Sequence, residues 1–151
     1  MRSLTIWLTL SVACLCSTAN AQKAANQDLF GNWRIVAFRF GEGISVGPGE
    51  AKKLLRKNVQ LSSMRAVFGN DICSSPVYES KRMTAEQFSQ EFKTSLKSIG
   101  IRDDHVDLVN IQCSGSDWLV PGAILLKVRN GQMLTLWDGV FFVLKKQEGR
   151  T

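Results

Sequence analysis

Hydrophobic residues beyond position 30 come in short runs that predict β-strands. Residues 33–40 carry aromatic and β-branched side chains interrupted by two arginines, which is typical of a strand with one solvated face. Glycines dominate 41–49 and predict a loop, and residues 50–57 fit a short helical turn. Three further short strands are predicted, at 59–61, 66–68 and 77–79.

The most regular pattern lies near the C-terminus. Residues 106–113 predict a strand on which neither face is cleanly apolar. Three more strands are predicted, at 124–129, 133–137 and 140–144. Asn130-Gly131 and Asp138-Gly139 are signals for type I′ turns. Because such short turns join only antiparallel neighbours, the last three strands should form a meander.

One helix is predicted between residues 84 and 100. Thr84 and Gln87 have the spacing of a capping box, and Gly100 provides a C-terminal stop. The helix carries one continuous apolar stripe, formed by Phe88, Phe92, Leu96 and Ile99. Such a stripe is typical of core packing. The elements together predict a mainly β protein, an antiparallel up-and-down barrel of about 7–8 strands with one inserted helix.

The N-terminus has the pattern of a cleavable secretory signal. Arg2 precedes the mostly apolar residues 4–15, and Ala19 and Ala21 fit a small-x-small cleavage site. Cleavage after Ala21 would deliver the protein to the periplasm or to the outside of the cell. The predicted organisation is a signal peptide at 1–21, a flexible segment at 22–28, one barrel domain at 29–146 and a tail at 147–151.

Two other fates of the N-terminus stay open. Val12-Ala13-Cys14 partly fits a bacterial lipobox, so the alternative is a protein anchored by a lipid on Cys14. An uncleaved anchor is the second alternative, although the apolar run is short for a membrane span.

Cys73 and Cys113 are the cysteines that remain after cleavage. Two cysteines in an oxidising compartment most often pair, and this pair would close a loop of about 40 residues, which stabilises the fold by about 3–4 kcal/mol. The alternative is a catalytic thiol. A thiol of that kind needs a general base, for which His105 is the sole histidine.

Gly31-Asn32-Trp33 resembles the opening of the lipocalins and related calycin barrels. In that family the tryptophan closes one end of the barrel, and a basic residue of the last strand packs across its ring. The resemblance implies a lipocalin-like barrel closed by Gly31, Trp33 and Lys145, with Lys146 as the other basic candidate. A weaker resemblance, carried by residues 69–73 and Tyr78, is to the META/heat-shock-lipoprotein-like domains of bacterial envelopes.

The chain is basic, with a formal net charge of +6. The excess is spread over short clusters, such as 52–53, 56–57 and 145–146, rather than one long run. Such clusters are typical of a solvated surface that favours acidic partners: envelope polysaccharide, anionic lipid head groups or an acidic protein. No nucleic-acid motif accompanies the charge, so we expect no nucleic acid partner, and we expect a monomer.

Residues 103–107 are the one dense polar constellation. Asp103, Asp104, His105 and Asp107 could form a metal site or an acid–base pair, but the pattern favours a solvated loop. Glu79 and Glu86 have no spacing that would pair them as glycosidase carboxylates. Hydrolase and nucleotide-binding motifs are missing from the sequence. We therefore expect no enzyme, no catalytic residue, no metal and no cofactor.

Two functions fit these expectations. The first is an exported, non-enzymatic envelope protein that binds a small apolar or amphipathic ligand. Its candidate ligand-binding residues are Phe38, Phe40, Phe68, Trp118, Met133 and Trp137. The alternative is a protein-binding module, such as an inhibitor, an immunity protein or an assembly factor. It would act through the barrel-rim loops at 41–50 or 114–121, with Trp118 as the contact anchor.

Overall fold

The computed structural model describes residues 26–43, 46–115 and 117–148. The predicted signal peptide, including Cys14, lies outside the described residues. The strands are β1 Gly31–Phe40, β2 Asn58–Leu61, β3 Arg65–Phe68, β4 Asp71–Ser74, β5 Val77–Thr84, β6 His105–Gln112, β7 Ile124–Lys127, β8 Met133–Trp137 and β9 Val140–Lys146. The helices are α1 Pro48–Leu54 and α2 Ala85–Phe92, and the 3₁₀ turns are Gln27–Leu29 and Arg129–Gly131.

All nine strands belong to one antiparallel sheet, in the order β4-β3-β2-β1-β9-β8-β7-β6-β5. Strands that are consecutive in the chain are neighbours in the sheet, except for β4 and β5, which form its two edges, and β1 also pairs with β9. The sheet is strongly curled and forms a half-barrel, which confirms the predicted mainly β, up-and-down architecture with a packed helix. The sheet has more strands than predicted because the chain returns as β4 after Gly69, where φ is +60°.

Side chains connect the β2–β4 end of the sheet with the β5–β6 end. As predicted, Cys73 on β4 forms a disulfide with Cys113, which directly follows β6, and their Cα atoms are 5.5 Å apart. Tyr78 on β5 donates its hydroxyl hydrogen to the carbonyl of Ser62, at 2.8 Å, between β2 and β3. We call this junction between the two edges of the sheet the seam. The disulfide is compatible with an oxidising location.

The sheet buries a core on each face. The concave core contains Trp33, Ile35, Phe142 and Leu144 from the central strands β1 and β9. The second core lies on the other face, where Phe88 of α2 packs with Phe141 of β9, their ring centroids 6.0 Å apart. Successive residues of β9 therefore enter opposite cores, which explains why Val140 to Leu144 form an unbroken apolar run.

Helix α2 starts as predicted but ends earlier. The Thr84–Gln87 capping box forms with both of its hydrogen bonds. The helix stops at Phe92 because Lys93 adopts a left-handed conformation with φ of 53°. Beyond it, hydroxyl groups compete for hydrogen bonds: Ser95 accepts from the backbone of Ser98 at 3.1 Å. Leu96 and Ile99 are buried as predicted, but in irregular chain.

The two predicted hairpin turns differ in outcome. Asp138 and Gly139 both have positive φ between the paired residues Trp137 and Val140, as a type I′ turn requires. The loop around Asn130-Gly131 is longer than predicted. There β7 ends at Lys127, and a 3₁₀ turn at Arg129–Gly131 precedes β8.

Part of the segment 22–28, predicted to be flexible, packs against the rest of the protein. Asn26 and Leu29 are both buried, and the 3₁₀ turn Gln27–Leu29 leads directly into β1. Asp28 forms an ion pair with Lys127 of β7 at 3.0 Å. An ion pair therefore holds this short segment against the sheet before β1 starts.

Candidate functional site

The six side chains predicted to bind a ligand all lie on the side of the concave core. Trp118 and Met133 are buried within it, and the half-buried aromatic residues pack against it: Phe38, Phe40, Phe68 and Trp137. Phe38 and Phe40 contact each other edge to face, with ring centroids 5.4 Å apart. Of the six, Trp118 and Trp137 line the same surface cleft.

This cleft, which we call the Trp118 cleft, has a volume of about 380 Å³. It lies where residues 117–124 pass the ends of β6 and β8. Its apolar lining consists chiefly of Trp118, Leu119, Val120, Leu136 and Trp137, and its polar lining of Asn110, Gln112 and Asp117. A volume of this size is within the range of small-molecule sites, about 300–1,000 Å³.

Backbone and hydroxyl hydrogen bonds fix the segment that forms the cleft. The amide of Ile111 on β6 donates to the carbonyl of Ala123 at 2.8 Å. The hydroxyl of Thr135, a buried polar residue of β8, accepts from the amide of Gly122 at 2.7 Å and donates to the carbonyl of Ile124 at 2.9 Å. The disulfide at Cys113 anchors the start of the same segment.

Gly122 is required at its position. Its φ of +114° is strained for other residues, and a Cβ there would lie 3.0 Å from the side chain of Val59 and 3.8 Å from the indole ring of Trp118. The close approach at Gly122 lets the indole of Trp118 pack inward beside β2. The wall of the cleft is therefore built on the concave core.

Trp118 holds an unused hydrogen-bond donor. Its side chain is only 6% exposed, and its indole N–H is the one buried side-chain polar group in the described residues that lacks a partner. The indole of Trp33, by contrast, donates to the carbonyl of Leu29 at 2.7 Å. A buried donor without an acceptor costs about 1–3 kcal/mol. Because this N–H has almost no accessible surface, a ligand acceptor would reach it only after a shift of the indole or its neighbours, and that contact would then be favourable.

The polar residues that line the cleft indicate which ligand head group it would accept. Asp117 is the charged residue among those that line it. The Gln112 amide, also part of the lining, donates to the Glu79 carboxylate at 2.7 Å. The arrangement suits a ligand with an apolar body and a neutral acceptor, because an anionic head group would meet the carboxylate of Asp117.

The tryptophan of the Gly-x-Trp motif packs at another part of the concave core. Trp33 is buried, and Lys146 Nζ lies 5.4 Å from the centre of its ring. The basic partner is therefore Lys146, in place of Lys145. The register explains the difference, because Lys146 pairs directly with Trp33 while Lys145 pairs with Arg34 on the opposite face. Gly31 leaves room for the Lys146 side chain, since a Cβ there would lie 2.9 Å from its Cε.

Trp137 also lines a second cleft, of about 340 Å³, against α1. Ala51 of α1 is fully buried, so this helix is part of the core rather than a loose flap. Phe142 and Leu54 supply further apolar lining, and Lys53 forms an ion pair with Glu50 at 2.6 Å on the helix. The described parts of the rim loop at 41–50 reach this cleft through Val46 and Glu50.

The polar constellation at 103–107 is divided among separate partners. His105 Nδ1 lies 2.6 Å from Asp104, whose carboxyl pKa is lowered by that hydrogen bond. Asp107 binds Arg82 at 2.8 Å, which lowers its pKa, and Asp103 pairs with Arg129 at 2.9 Å. Within the described ranges, no group of three or more His, Cys, Asp or Glu side chains could hold a metal ion.

Several residues of the cleft do not stand out in the sequence. In the predicted strand at 106–113 neither face is cleanly apolar, partly because of Asn110 and Gln112. Both of these residues line the cleft. Thr135 interrupts the apolar run of β8, and it is fully buried because it fastens the neighbouring segment. The available signal was a polar residue within an otherwise apolar strand, which is fully buried for Thr135, half-buried for Asn110 and exposed for Gln112.

Comparison with protein-family models, with curated proteins and with solved structures finds no match for this chain. None of the helices in the described part of the chain is both long and apolar enough to cross a membrane. The geometry of the clefts is therefore the basis for what can be inferred about function.

Proposed function

We propose that this protein is an exported, non-enzymatic, lipocalin-like binding protein whose Trp118 cleft takes a small amphipathic ligand. The observation that carries the proposal is the unpartnered indole N–H of Trp118 beside an apolar cleft of ligand size. The apolar part of the ligand would pack against Trp118, Leu119 and Trp137. Its polar end would carry a neutral hydrogen-bond acceptor, such as an amide or ketone carbonyl.

The export part of the proposal rests on the N-terminal signal pattern and on the disulfide. The disulfide suits an oxidising compartment, and residues 1–21 supply the expected route to it. Mass spectrometry of the processed protein should find Gln22 as the first residue. A diacylglyceryl modification on Cys14 would instead make the protein a tethered lipoprotein.

Binding can be tested with a pair of ligands of equal chain length, one with a neutral and one with an anionic head group. Octanamide and octanoate have the same chain length, and both can be titrated against the processed protein by calorimetry. We expect octanamide to bind more tightly, because the carboxylate of Asp117 repels the head group of octanoate. Asp117→Asn should remove most of that preference, which a site elsewhere on the surface would not show.

Substitutions within the cleft should then identify its contacts. Trp118→Phe keeps an aromatic ring and removes the donor, so octanamide affinity should fall about tenfold, the value of one hydrogen bond. Leu119→Ser should also weaken binding. Met64→Ser provides the matched control, because Met64 and Leu119 are 70% and 71% exposed. Equal binding by all three variants would show that the ligand does not occupy this cleft.

The protein-binding alternative is supported by one observation, the exposure of Leu119 next to the buried Trp118. An apolar side chain presented in this way is suited to a protein contact. A pull-down from the native envelope that recovers a stoichiometric protein with the wild type, and loses it with Leu119→Ser, would favour this alternative. Native mass spectrometry showing a retained small molecule would favour the carrier.

A further inference from the structure

The outer face of β1 and β2 carries a second surface of different chemistry. A cleft there has a volume of about 560 Å³. Most of its lining is made of two cations and four amide side chains, Arg34, Lys57, Asn32, Asn58, Gln60 and Gln147. We call these residues, together with the neighbouring Lys145, the cationic face. It is distinct from the Trp118 cleft, with which it shares no lining residue.

The strand register brings the cationic face together. Arg34 of β1 pairs with Asn58 of β2 on one side and with Lys145 of β9 on the other. Because directly paired residues project from the same face of a sheet, Lys145 lies beside Arg34. The Nε of Arg34 donates to the Asn58 side-chain oxygen at 3.3 Å, which orients the guanidinium.

Five cations elsewhere in the described residues have a carboxylate partner, among them Lys53, which pairs with Glu50 on α1. Lys81, Arg82, Lys127 and Arg129 form ion pairs with carboxylates. Across the residues that the structure describes, the ion pairs do not include Arg34, Lys57 or Lys145. Among the residues that the structure describes, no carboxylate lines the cleft either. The face therefore concentrates positive charge that is not neutralised locally.

We propose that the cationic face binds an acidic polysaccharide, one whose sugar rings carry carboxylate groups. The guanidinium and ammonium groups would pair with the carboxylates. The amide side chains, which both donate and accept hydrogen bonds, would bind the sugar hydroxyls. Val67, which also lines the cleft, offers a small apolar contact for the C–H face of a ring.

The same residues argue against two other polyanions. Proteins that lie on membranes combine basic residues with large apolar side chains that enter the bilayer, whereas the side chains lining this cleft are mainly amides. Single-stranded nucleic acids are bound by aromatic stacking, and none of the described residues that line the cleft is aromatic. An acidic polysaccharide fits both the charge and the hydrogen-bonding groups.

The test is calorimetric titration of the processed protein with an oligosaccharide of galacturonic acid. Maltooligosaccharide of the same length is the neutral comparison. We expect binding to the galacturonate oligosaccharide alone, weakened by added salt. The triple variant Arg34→Gln, Lys57→Gln, Lys145→Gln should lose about tenfold or more in affinity, since charged contacts at an interface dominate its electrostatic attraction.

The matched control is Lys93→Gln, Lys97→Gln, Arg102→Gln, which removes the same charge from exposed residues elsewhere. It should bind within about threefold of the wild type. An equal loss in both triple variants would show that only net charge matters and would overturn the proposal. So would an absence of galacturonate binding, or binding to anionic phospholipid vesicles alone. Trp118→Phe should bind the oligosaccharide normally, which separates this face from the Trp118 cleft.

Discussion

At the residue scale, two tryptophans of the concave core differ in one hydrogen bond of the indole N–H, and this difference makes Trp118 the candidate for ligand binding. Trp33 has its acceptor in the chain and a lysine over its ring, so its polar edge is satisfied by the fold itself. Trp118 is equally buried but keeps an unused donor. Both residues could be predicted as important from the sequence. The sequence does not show which of the two indole N–H groups finds a carbonyl acceptor, because that depends on the folded positions of the surrounding backbone.

The pKa of the Tyr78 phenol gives a prediction for the seam that can be measured on unlabelled protein. Burial raises the pKa of Tyr78 to about 12, although its hydrogen bond to Ser62 acts in the opposite direction. In the unfolded chain the phenol titrates near pH 10. Between these values the unfolded state releases a proton that the folded state keeps, so stability should fall as the pH rises from about 10 to about 12.

Because Tyr78 is the only tyrosine, the ultraviolet absorbance of tyrosinate reports this residue alone. The titration midpoint of the folded protein should lie well above that of the urea-unfolded chain. Coincident midpoints would show that the phenol is not buried in the seam.

Tyr78→Phe should also lower the free energy of unfolding. Loss of the hydrogen bond to Ser62 costs about 1 kcal/mol, measured by urea denaturation. Lys81→Gln on the same strand is the control and should stay within about 0.5 kcal/mol of the wild type. An effect of Tyr78→Phe no larger than that of the control would mean that this contact does not hold the seam.

At the scale of elements, periodicity predicted β1, β8, β9 and the start of α2 well. Each of these combines a clear apolar pattern with a definite cap or turn, such as Thr84 or Asp138-Gly139. The strand β4 was missed because Asp71–Ser74 has only one buried residue, Cys73. The end of α2 was misplaced because the apolar stripe continues past Lys93, although the backbone does not remain helical.

The end of α2 offers a stabilising substitution. Lys93 holds a left-handed conformation that glycine adopts without strain, so Lys93→Gly should raise the free energy of unfolding by about 0.5–1 kcal/mol. Lys97→Gly is the comparison, because Lys97 is also exposed but does not have a positive φ. If both glycine variants destabilise the protein equally in urea denaturation, the helix does not end at Lys93.

For the whole molecule, the seam explains how a short chain completes its barrel-like fold. Pairing of β1 with β9 leaves β4 and β5 as the sheet edges, and the disulfide and the Tyr78 hydroxyl link this region. The sequence supplied the disulfide pair and the meander. The position of the seam could not be predicted from the sequence, because this position depends on the pairing of β1 with a strand about a hundred residues later in the chain.

Removal of the disulfide should weaken this arrangement selectively. The double variant Cys73→Ser, Cys113→Ser should lose about 3–4 kcal/mol of stability, from the greater entropy of its unfolded chain. Hydrogen exchange should accelerate first in β4 and β5, while the central β1 and β9 remain the slowest. Uniform acceleration across the sheet would contradict a local role for the disulfide at the seam.

The central claim, that the Trp118 cleft receives the ligand, is tested most directly by nuclear magnetic resonance of the indole N–H groups. Trp33, Trp118 and Trp137 each give one ¹⁵N-labelled indole signal in the processed protein. On addition of octanamide, the Trp118 signal should move downfield as its N–H gains an acceptor, with a smaller shift for Trp137. The Trp33 signal should stay in place, because that N–H already donates to Leu29. A ligand that shifts Trp33 alone, or leaves all three signals unchanged at saturating concentration, would contradict the claim.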